Sequence, residues 1–255
     1  MKKDVINYVL KWSEEIDDKF LEDLLCVENT VFGGFTKHIL QRKYINNIYG
    51  SCLVTIAYLD GKPVGADAMM RNDVLGHVGF ETIDTCVTEE CRGKGVFSTI
   101  TQKEVAEINA KYPNAIIYGF PNDNSFPGYV KMGWNVQCRL YPAPFLFPYL
   151  YDKENPTIID VEYAKWLCES TSKFYHIKKG KKYYLIKQGR RHYQMIGRIE
   201  PDAASFFEKK EQPGLIRCRS VKKRFFNDDD YQGSIITFGK LPIDIPYWKT
   251  DLLLN

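Results

Sequence analysis

The sequence lacks the cysteine and histidine patterns that hold metals or disulfide frameworks. Its seven cysteines are an odd number, and no two of them form a Cys-x-x-Cys pair. With no secretory leader recognisable at the N-terminus, this pattern predicts reduced thiols in a cytoplasmic protein. The four histidines show no metal-ligand spacing, so we expect no metal site. They are His38, His77, His176 and His192.

Long apolar runs and an excess of charge are also lacking. No apolar run approaches the ~20 residues that a membrane-spanning helix needs, so we expect no membrane partner. The formal net charge is only +3, so the total charge predicts no strong attraction to nucleic acid. The hydrophobic content of 44% is enough for a substantial core in one large or two small domains.

The most informative stretch lies between a predicted strand and a predicted helix. Thr82–Val87 is short and rich in apolar or β-branched residues, which predicts a strand, and Val96–Lys111 has apolar residues at helical spacing. Between them stands Arg92-Gly93-Lys94-Gly95. Backbone amides at a helix N-terminus have no internal partner and lie at the positive end of the helix dipole. Glycines let a ligand approach them closely, so the turn predicts a phosphate cradle.

A glycine-containing turn alone is weak evidence, because it also suits a simple strand–helix connection. The cradle is not a P-loop, since the Gly-Lys-Ser/Thr ending is absent. It is not the dinucleotide fingerprint either, since the third glycine and the downstream acidic pattern are missing.

Two blocks of sequence resemble the GNAT family of acetyl-CoA-dependent N-acyltransferases. Cys86–Val96 resembles the strand and Arg-Gly-x-Gly turn that hold the pyrophosphate of coenzyme A in that family. Asn122–Trp134 resembles the family's later helix, which reads Asn-x-x-Ala and then Tyr-x-Lys-x-Gly-Phe. The blocks follow in the family's order at about its spacing, and the resemblance covers roughly residues 20–140. The whole pattern looks most like bacterial or archaeal members with an extra C-terminal subdomain.

The resemblance implies an α+β fold of three layers, with a mixed central sheet flanked by helices and a second, smaller α+β subdomain. We place the GNAT-like acetyl-CoA-binding domain at 1–145 and the subdomain at 146–255. A degenerate half-copy of the first domain and an unrelated cap are both open for the subdomain.

Residue patterns predict the elements of the first domain. Asp60-Gly61 between apolar runs predicts a hairpin. Helices are predicted from Ser13 to Cys26, Lys37 to Asn47, Val96 to Lys111 and Asn122 to Lys131. Strands are predicted at Ser51–Leu59, Pro63–Met70, Gly79–Val87, Ala115–Phe120 and Trp134–Leu140. In the family, the early helices form one wall of the acceptor groove.

The C-terminal half begins with Tyr141–Tyr151, whose three prolines exclude a helix and a central strand. Helices are predicted at Thr157–Ser170 and Pro201–Lys210. Strands are predicted at Lys182–Lys187, His192–Ile199, Leu215–Ser220 and Ser234–Phe238. The basic, aromatic tract 173–192 could bind nucleic acid, but a solvated face or a patch for an anionic acceptor is favoured.

The resemblance implies a set of residues that bind acetyl-CoA as co-substrate. The backbone of Cys86 and Val87 would pair with the pantetheine arm like an extra strand. Arg92, Gly93, Lys94, Gly95 and Val96 would hold the pyrophosphate, Ser98 could add a hydroxyl, and Asn122 would touch the pantetheine region. Glu90 stands where the family usually has Gln or Arg.

The same resemblance implies catalytic residues for acetyl transfer. Tyr129 aligns with the family tyrosine that donates a proton to the sulfur of coenzyme A; the alternative is a tyrosine packed under the last strand. Glu81 and Asp84 are the candidate bases, with Glu81 ranked first and ordered water as a further option. They stand three apart, so an undistorted strand points them to opposite faces, and a bulge could change that. Cys86 as a nucleophile is disfavoured, because no histidine lies near it in sequence.

We therefore expect an N-acetyltransferase that acts on a primary amine of a small molecule, such as an amino sugar, by direct attack. The chain is expected to be a monomer or a homodimer. A non-catalytic acyl-CoA-binding protein and a transferase with another acyl or aminoacyl donor are the alternatives.

Overall fold

The computed structural model describes residues 5–144, 158–170, 172–220 and 233–239, together with 241, 243 and 245. The chain divides into two compact units. The first takes its residues from Met1–Phe120, Asn124–Asn135 and Ile236–Leu241, and the second from Pro121–Asp123, Val136–Ile235 and Pro242–Asn255.

Runs of consecutive strands are separated by helices, as in an α+β fold. The helices are α1 Asp18–Val31, α2 Lys37–Leu40, α3 Val96–Lys111, α4 Phe126–Lys131, α5 Val161–Cys168 and α6 Pro201–Ala204. The strands of the first sheet are β1 Ile6–Trp12, β2 Leu53–Leu59, β3 Lys62–Arg71, β4 Gly79–Val87, β5 Ile116–Gly119, β6 Asn135–Arg139 and β14 Ser234–Phe238. Those of the second are β7 Tyr141–Pro144, β8 Ile158–Ile159, β9 Phe174–Lys179, β10 Lys182–Gln188, β11 Tyr193–Ile199, β12 Glu208–Lys209 and β13 Ile216–Ser220.

The first sheet has the strand order β1-β2-β3-β4-β5-β14-β6. The pairs β1–β2, β2–β3 and β3–β4 are antiparallel, whereas β4 and β5 are parallel. The predicted hairpin joins β2 to β3, where Asp60 and Gly61 have φ values of 49° and 79°. Two left-handed residues in succession are what a tight hairpin turn requires. Helices α1 and α3 pack on this sheet, so the predicted fold class is confirmed.

The N-terminal elements differ from those predicted. Residues 6–12 form β1, which pairs with β2 along its whole length. The helix predicted from Ser13 begins only at Asp18, because the Asp17 side chain accepts a hydrogen bond from the Phe20 amide and caps it there. The helix predicted from Lys37 is split into α2 and a π-helical turn, Gln41–Ile45.

The second sheet has the order β12-β9-β10-β11-β13-β7, with β8 also paired to β11. Strands β9, β10 and β11 are antiparallel, and β11 is parallel to β13. In the first sheet β2, β3 and β4 are likewise antiparallel, and β4 is parallel to β5. The repeated pairing favours a half-copy over an unrelated cap, and the half-copy stays a proposal.

Two predicted elements of the C-terminal half are shorter than expected. The helix predicted over 201–210 ends at Ala204, and Glu208–Lys209 pair with β9 instead. The helix predicted from Thr157 begins at Val161, after the Asp160 cap. Residues 145–157 lie outside the described part. The proline-rich stretch contributes β7 at the end of the sheet order, where a missing amide costs no ladder bond.

The boundary predicted at residue 145 differs from the division seen. Residues 236–238 of β14 pair with β5 and belong to the first unit, whereas β7 pairs with β13 in the second. The two units therefore have interleaved rather than consecutive sequences. Along the described ranges, no helix is long and apolar enough to cross a membrane.

Candidate active site

The turn between β4 and α3 has the backbone of an anion cradle. Gly93 and Gly95 have φ values of 75° and 78°, a left-handed conformation that L residues with a Cβ rarely adopt. The Arg92 and Lys94 amides are already bonded, to the carbonyls of Glu89 and Cys91. Within the described ranges the amides of Gly93 and Gly95 have no recorded acceptor.

The start of α3 extends this cradle. The Thr99 amide is the first to bond within the helix, to Gly95 O, so the three amides before it face outward as helix N-termini do. The side chain of Val96 is buried and anchors the turn against Gly65, where an added Cβ would come within 2.9 Å of Val96 Cγ1. The Ser98 hydroxyl donates to Gly95 O at 3.0 Å.

Charged side chains surround the cradle without closing it. Arg92 and Lys94 are exposed, and Arg92 Nε donates to Val87 O at 3.3 Å. Hydrogen bonds from its own amide and from the Thr88 hydroxyl lower the pKa of Glu90. Because these bonds come from its own turn, Glu90 is held as a carboxylate at the 3₁₀ turn before the glycines.

β4 and β5 separate before β4 ends. Their parallel pairing covers Gly79–Thr82 and Ile116–Gly119 only. On that side, no described strand pairs with the residues of β4 from Ile83 onward. Cys86 and Val87 therefore offer one backbone edge, while β3 holds the other through Ala66 and Gly65.

A β-bulge interrupts β4 just before this open edge. Ala66 pairs with Cys86 and Ala68 pairs with Ile83, so Asp67 lies opposite two residues, Asp84 and Thr85. Asp84 takes up the extra residue with a φ of 54°, which aspartate tolerates better than most residues. The bulge reverses the alternation of side chains beyond it.

The contacts of β4 show this reversal. The hydroxyls of Thr82 and Thr85, three positions apart, both reach the carboxylate of Asp67. Glu81 and Asp84, each next to one of these threonines, therefore share the other face. The possibility that a bulge redirects these two carboxylates is thus realised.

Tyr129 lies on the Thr82 face of β4. Its hydroxyl is 2.7 Å from Thr82 Oγ1 and 3.1 Å from Thr85 Oγ1. Its ring packs edge-on against Phe97 and Trp134, with centroids 4.9 Å apart in each case. Burial and then the charge of Asp67 raise the pKa of the phenol well above its ordinary value, and the two threonine hydroxyls oppose that rise.

The Phe97 contact depends on a glycine in α4. A Cβ added to Gly128 would come within 2.4 Å of Phe97 Cε1, closer than non-bonded carbon atoms approach. Packing therefore explains Gly128, since this glycine lets the helix carry Tyr129 up to the Phe97 ring.

Glu81 and Asp84 differ sharply in accessibility. Glu81 is 2% exposed and accepts a hydrogen bond from Asn72 Nδ2 at 2.7 Å. The Asp84 side chain is 18% exposed and is paired with Lys43 Nζ, which is 1% exposed, and with the hydroxyl of Tyr44. Glu28, also buried, lies near this ion pair; burial and then the charge of Asp84 raise its pKa well above the ordinary value.

Asn122, the last of the predicted donor-binding residues, is exposed and precedes α4 in the chain. In the described ranges, no group of three or more His, Cys, Asp and Glu side chains could hold a metal ion. Burial, and then the charge of Glu28, raise the pKa of the Cys86 thiol far above its ordinary value. A thiol in this state is a poor nucleophile, which agrees with direct attack by the amine.

No protein-family model and no curated protein sequence matches this chain. Solved structures do. A candidate acetyltransferase from Pyrococcus horikoshii superposes with a TM-score of 0.54 and 12% identity, covering 94% of this chain and 93% of that one. A GCN5-related N-acetyltransferase from Kribbella flavida gives 0.52 and 9%, covering 92% of this chain and 71% of that one. One from Anabaena variabilis gives 0.52 and 12%, with coverages of 90% and 72%.

The chain has the GNAT fold. These superpositions include both units, since each covers nine-tenths of the chain or more. The roles of the cradle, the open edge of β4 and Tyr129 in binding and chemistry are proposals.

The sequence prediction missed the buried polar residues that surround Tyr129 and Asp84 in this GNAT fold. Glu104 stands in the buried row of α3, four residues from both Ile100 and Ile108, and a carboxylate in such a row is a detectable signal. Asp67 stands alone in the apolar stretch of β3, which is a similar signal. Lys43 gave no detectable signal in the sequence, because its burial depends on contacts with elements distant in sequence.

Replacing Lys43 by methionine is expected to lower the free energy of unfolding by about 3 kcal/mol, as for other broken buried ion pairs. The physical reason is that Asp84 would keep its charge and lose its cation. The loss falls at the lower end of the usual range, because Tyr44 and some solvent still reach the carboxylate. Urea unfolding of the purified variant measures it.

The matched control adds Asp84→Asn to Lys43→Met. Removing both charges leaves no unpaired ion, so the double variant should recover at least half of the lost stability. A single variant as stable as the wild type would show that the pair does not hold the π-helical turn Gln41–Ile45 against β4.

Proposed function

We propose that this protein is an acetyl-CoA-dependent N-acetyltransferase that acetylates the primary amine of a small molecule, such as an amino sugar. One arrangement carries the proposal. Cys86 and Val87, at the open edge of β4, directly follow Thr85, whose hydroxyl contacts Tyr129, and lead into the glycine cradle. An acyl-CoA laid along this edge with its pyrophosphate in the cradle would bring its sulfur toward Tyr129.

The cradle supplies the donor-binding part of this function. The amides of Gly93, Gly95 and the first residues of α3 suit a pyrophosphate, which the helix dipole further stabilises. Arg92 and Lys94 add positive charge from exposed positions. The remaining proposed donor contacts are Cys86, Val87, Ser98 and Asn122. The Ser98 hydroxyl already donates a hydrogen bond to Gly95 O.

Acetyl transfer replaces the carbon–sulfur bond of the thioester by a carbon–nitrogen bond and moves two protons. The amine nitrogen attacks the thioester carbonyl carbon, the carbon–sulfur bond breaks, and the thiolate takes the proton of the Tyr129 hydroxyl. The proton lost by the amine goes to Glu81, to Asp84 or to water. Of the two carboxylates Asp84 is the more accessible, so the geometry favours it over Glu81, the residue ranked first from sequence.

The two candidate bases are separated by their pH–rate profiles. A catalytic base must be unprotonated, so the rate should rise with pH as that base loses its proton. If Asp84 is the base, Asp84→Asn abolishes this rise and lowers kcat by ~10²–10⁴-fold, whereas Glu81→Gln keeps it. The reverse result assigns the role to Glu81, and a rise that survives both changes assigns it to water.

Calorimetric titration with acetyl-CoA and coenzyme A, followed by thiol release across a panel of amines, tests the function itself. Binding with release from at least one amine is the expected result. Binding without release from any amine favours the alternative of a non-catalytic acyl-CoA-binding protein, for which the burial of Glu81 is the supporting observation. Absence of binding contradicts both.

A further inference from the structure

Beneath Tyr129 lies a buried pair of carboxyl groups that the proposed reaction does not use. Asp67 on β3 is 1% exposed, and Glu104 on α3 is completely buried. Asp67 Oδ1 accepts from the Thr85 hydroxyl at 2.7 Å, and Asp67 Oδ2 is 3.1 Å from Thr82 Oγ1. The same two hydroxyls reach the Tyr129 oxygen, so each threonine lies between a carboxylate and the phenol.

The two carboxyl groups cannot both be charged. Burial, and then the charge of Asp67, raise the pKa of Glu104 well above the ordinary value. Burial also raises the pKa of Asp67, and the neighbouring Glu104 carboxyl group and the hydroxyls of Thr85 and Thr82 oppose that rise. Glu104, whose two carboxyl oxygens have no hydrogen-bond partner within the described ranges, therefore keeps its proton, while Asp67 accepts from the two threonines.

The hydrogens of this group allow two arrangements. In one, both threonine hydroxyls donate to Asp67, and Tyr129 donates to Thr82. In the other, the two threonine hydroxyls turn from Asp67 to the Tyr129 oxygen. The short distance of 2.7 Å between Thr82 Oγ1 and Tyr129 Oη suits a donor on either side.

We propose that Thr82 and Thr85 are positioning residues that stabilise the Tyr129 oxygen after the phenol gives its proton to the leaving sulfur. Before that step, Asp67 and Glu104 keep the two threonine hydroxyls oriented beside Tyr129. The proposal rests on the proposed acetyl transfer. The Tyr129 O–H bond breaks and the sulfur–hydrogen bond forms. The threonine hydroxyls then only rotate from Asp67 to the phenolate, so no proton crosses the group. Without these two hydroxyls, the deeply buried phenolate oxygen would have no hydrogen-bond donor from this group, which would be energetically costly.

The bulge in β4 is what makes this arrangement possible. An undistorted strand would send Thr82 and Thr85 to opposite faces, and only one of them could reach Tyr129. Asp67, opposite the bulge, is placed to accept from both. The strained backbone of Asp84 thus serves to place Thr82 and Thr85 on one face of β4, apart from any role of its own carboxylate.

The test is a set of valine substitutions in two backgrounds. Thr82→Val and Thr85→Val keep the shape and remove the hydroxyl, and each should lower kcat tenfold to hundredfold, the value of one hydrogen bond to a charged group. The Kd for coenzyme A should stay within twofold. In the Tyr129→Phe background neither change should lower kcat further, and Thr→Ser should rescue each. Thr237→Val, a buried threonine on β14, is the matched control.

If Thr82→Val and Thr85→Val lower kcat by the same factors in the Tyr129→Phe background as in the wild type, the inference is overturned and the proposed function stays intact. A wild-type protein that acetylates no amine would instead count against the proposed function. The hydrogen-bond group is then tested without turnover, by placing 3-fluorotyrosine at position 129 and titrating its ¹⁹F chemical shift. Thr82→Val should raise the titration midpoint by about one pH unit, a tenfold change in ionisation; an unmoved midpoint rejects the arrangement.

Discussion

Replacing Tyr129 by phenylalanine is expected to lower kcat by ~10²–10⁴-fold, the usual contribution of a proton donor, and to leave the Kd for acetyl-CoA unchanged. The aromatic contacts with Phe97 and Trp134 survive the change, and Thr82 and Thr85 keep Asp67 as their acceptor. The variant should therefore fold normally and bind donor, yet turn over slowly. Steady-state kinetics with calorimetry separates the two quantities.

Tyr58→Phe is the matched control for this prediction. Tyr58 lies on β2 of the same sheet, and its hydroxyl donates to Asp23 at 3.1 Å, so this change also removes one hydrogen-bonded phenol. It should leave kcat within twofold of the wild type. If Tyr129→Phe behaves in the same way, Tyr129 is a packing residue and the proton for the sulfur comes from elsewhere.

Replacing Gly95 by tryptophan should weaken acetyl-CoA binding at least ~100-fold. The indole would fill the cradle and displace the pyrophosphate from two or more amides, each contributing ~1.5–3 kcal/mol to a charged ligand. An added Cβ meets no steric clash, since the nearest atom is Ser98 Oγ at 3.8 Å. Calorimetric titration with coenzyme A measures the loss.

Backbone strain is the competing explanation, because Gly95 has a φ of 78°. Gly76→Trp controls for it. Gly76 has a φ of 82°, an added Cβ there meets no atom within 4 Å, and the residue precedes β4, at the other end of the strand from the cradle. This variant should carry a similar strain and bind coenzyme A normally. Equal losses in both variants would place the pyrophosphate outside the cradle.

The hairpin after β2 and the glycine turn after β4 could be predicted from sequence because each depends on neighbours in the chain. A hairpin needs two left-handed residues, and Asp60-Gly61 provides them. A cradle needs a strand, glycines and a helix in succession, and Val87 to Val96 provides these. Such elements follow from local dihedral preferences, so their positions were correct to within a few residues.

The first helix and the domain boundary were predicted less well. Residues 6–12 do carry a strand pattern, with an apolar residue at every second position from Ile6 to Trp12, and the prediction missed it. The pairing of β1 with β2 then fixes the strand in the sheet. The C-terminal strand β14 returns to pair with β5, and no pattern near residue 145 announces this. Pairings between strands that are distant in sequence depend on the whole fold.

The sequence by itself determined the fold class and the strand–glycine–helix turn between β4 and α3, since the patterns that predict them lie in contiguous residues. The tertiary structure alone decided the bulge at Asp84, the shared face of Thr82 and Thr85, and the carboxyl pair of Asp67 and Glu104. A one-residue change of register reverses every side chain beyond it, and only the partner strand sets that register.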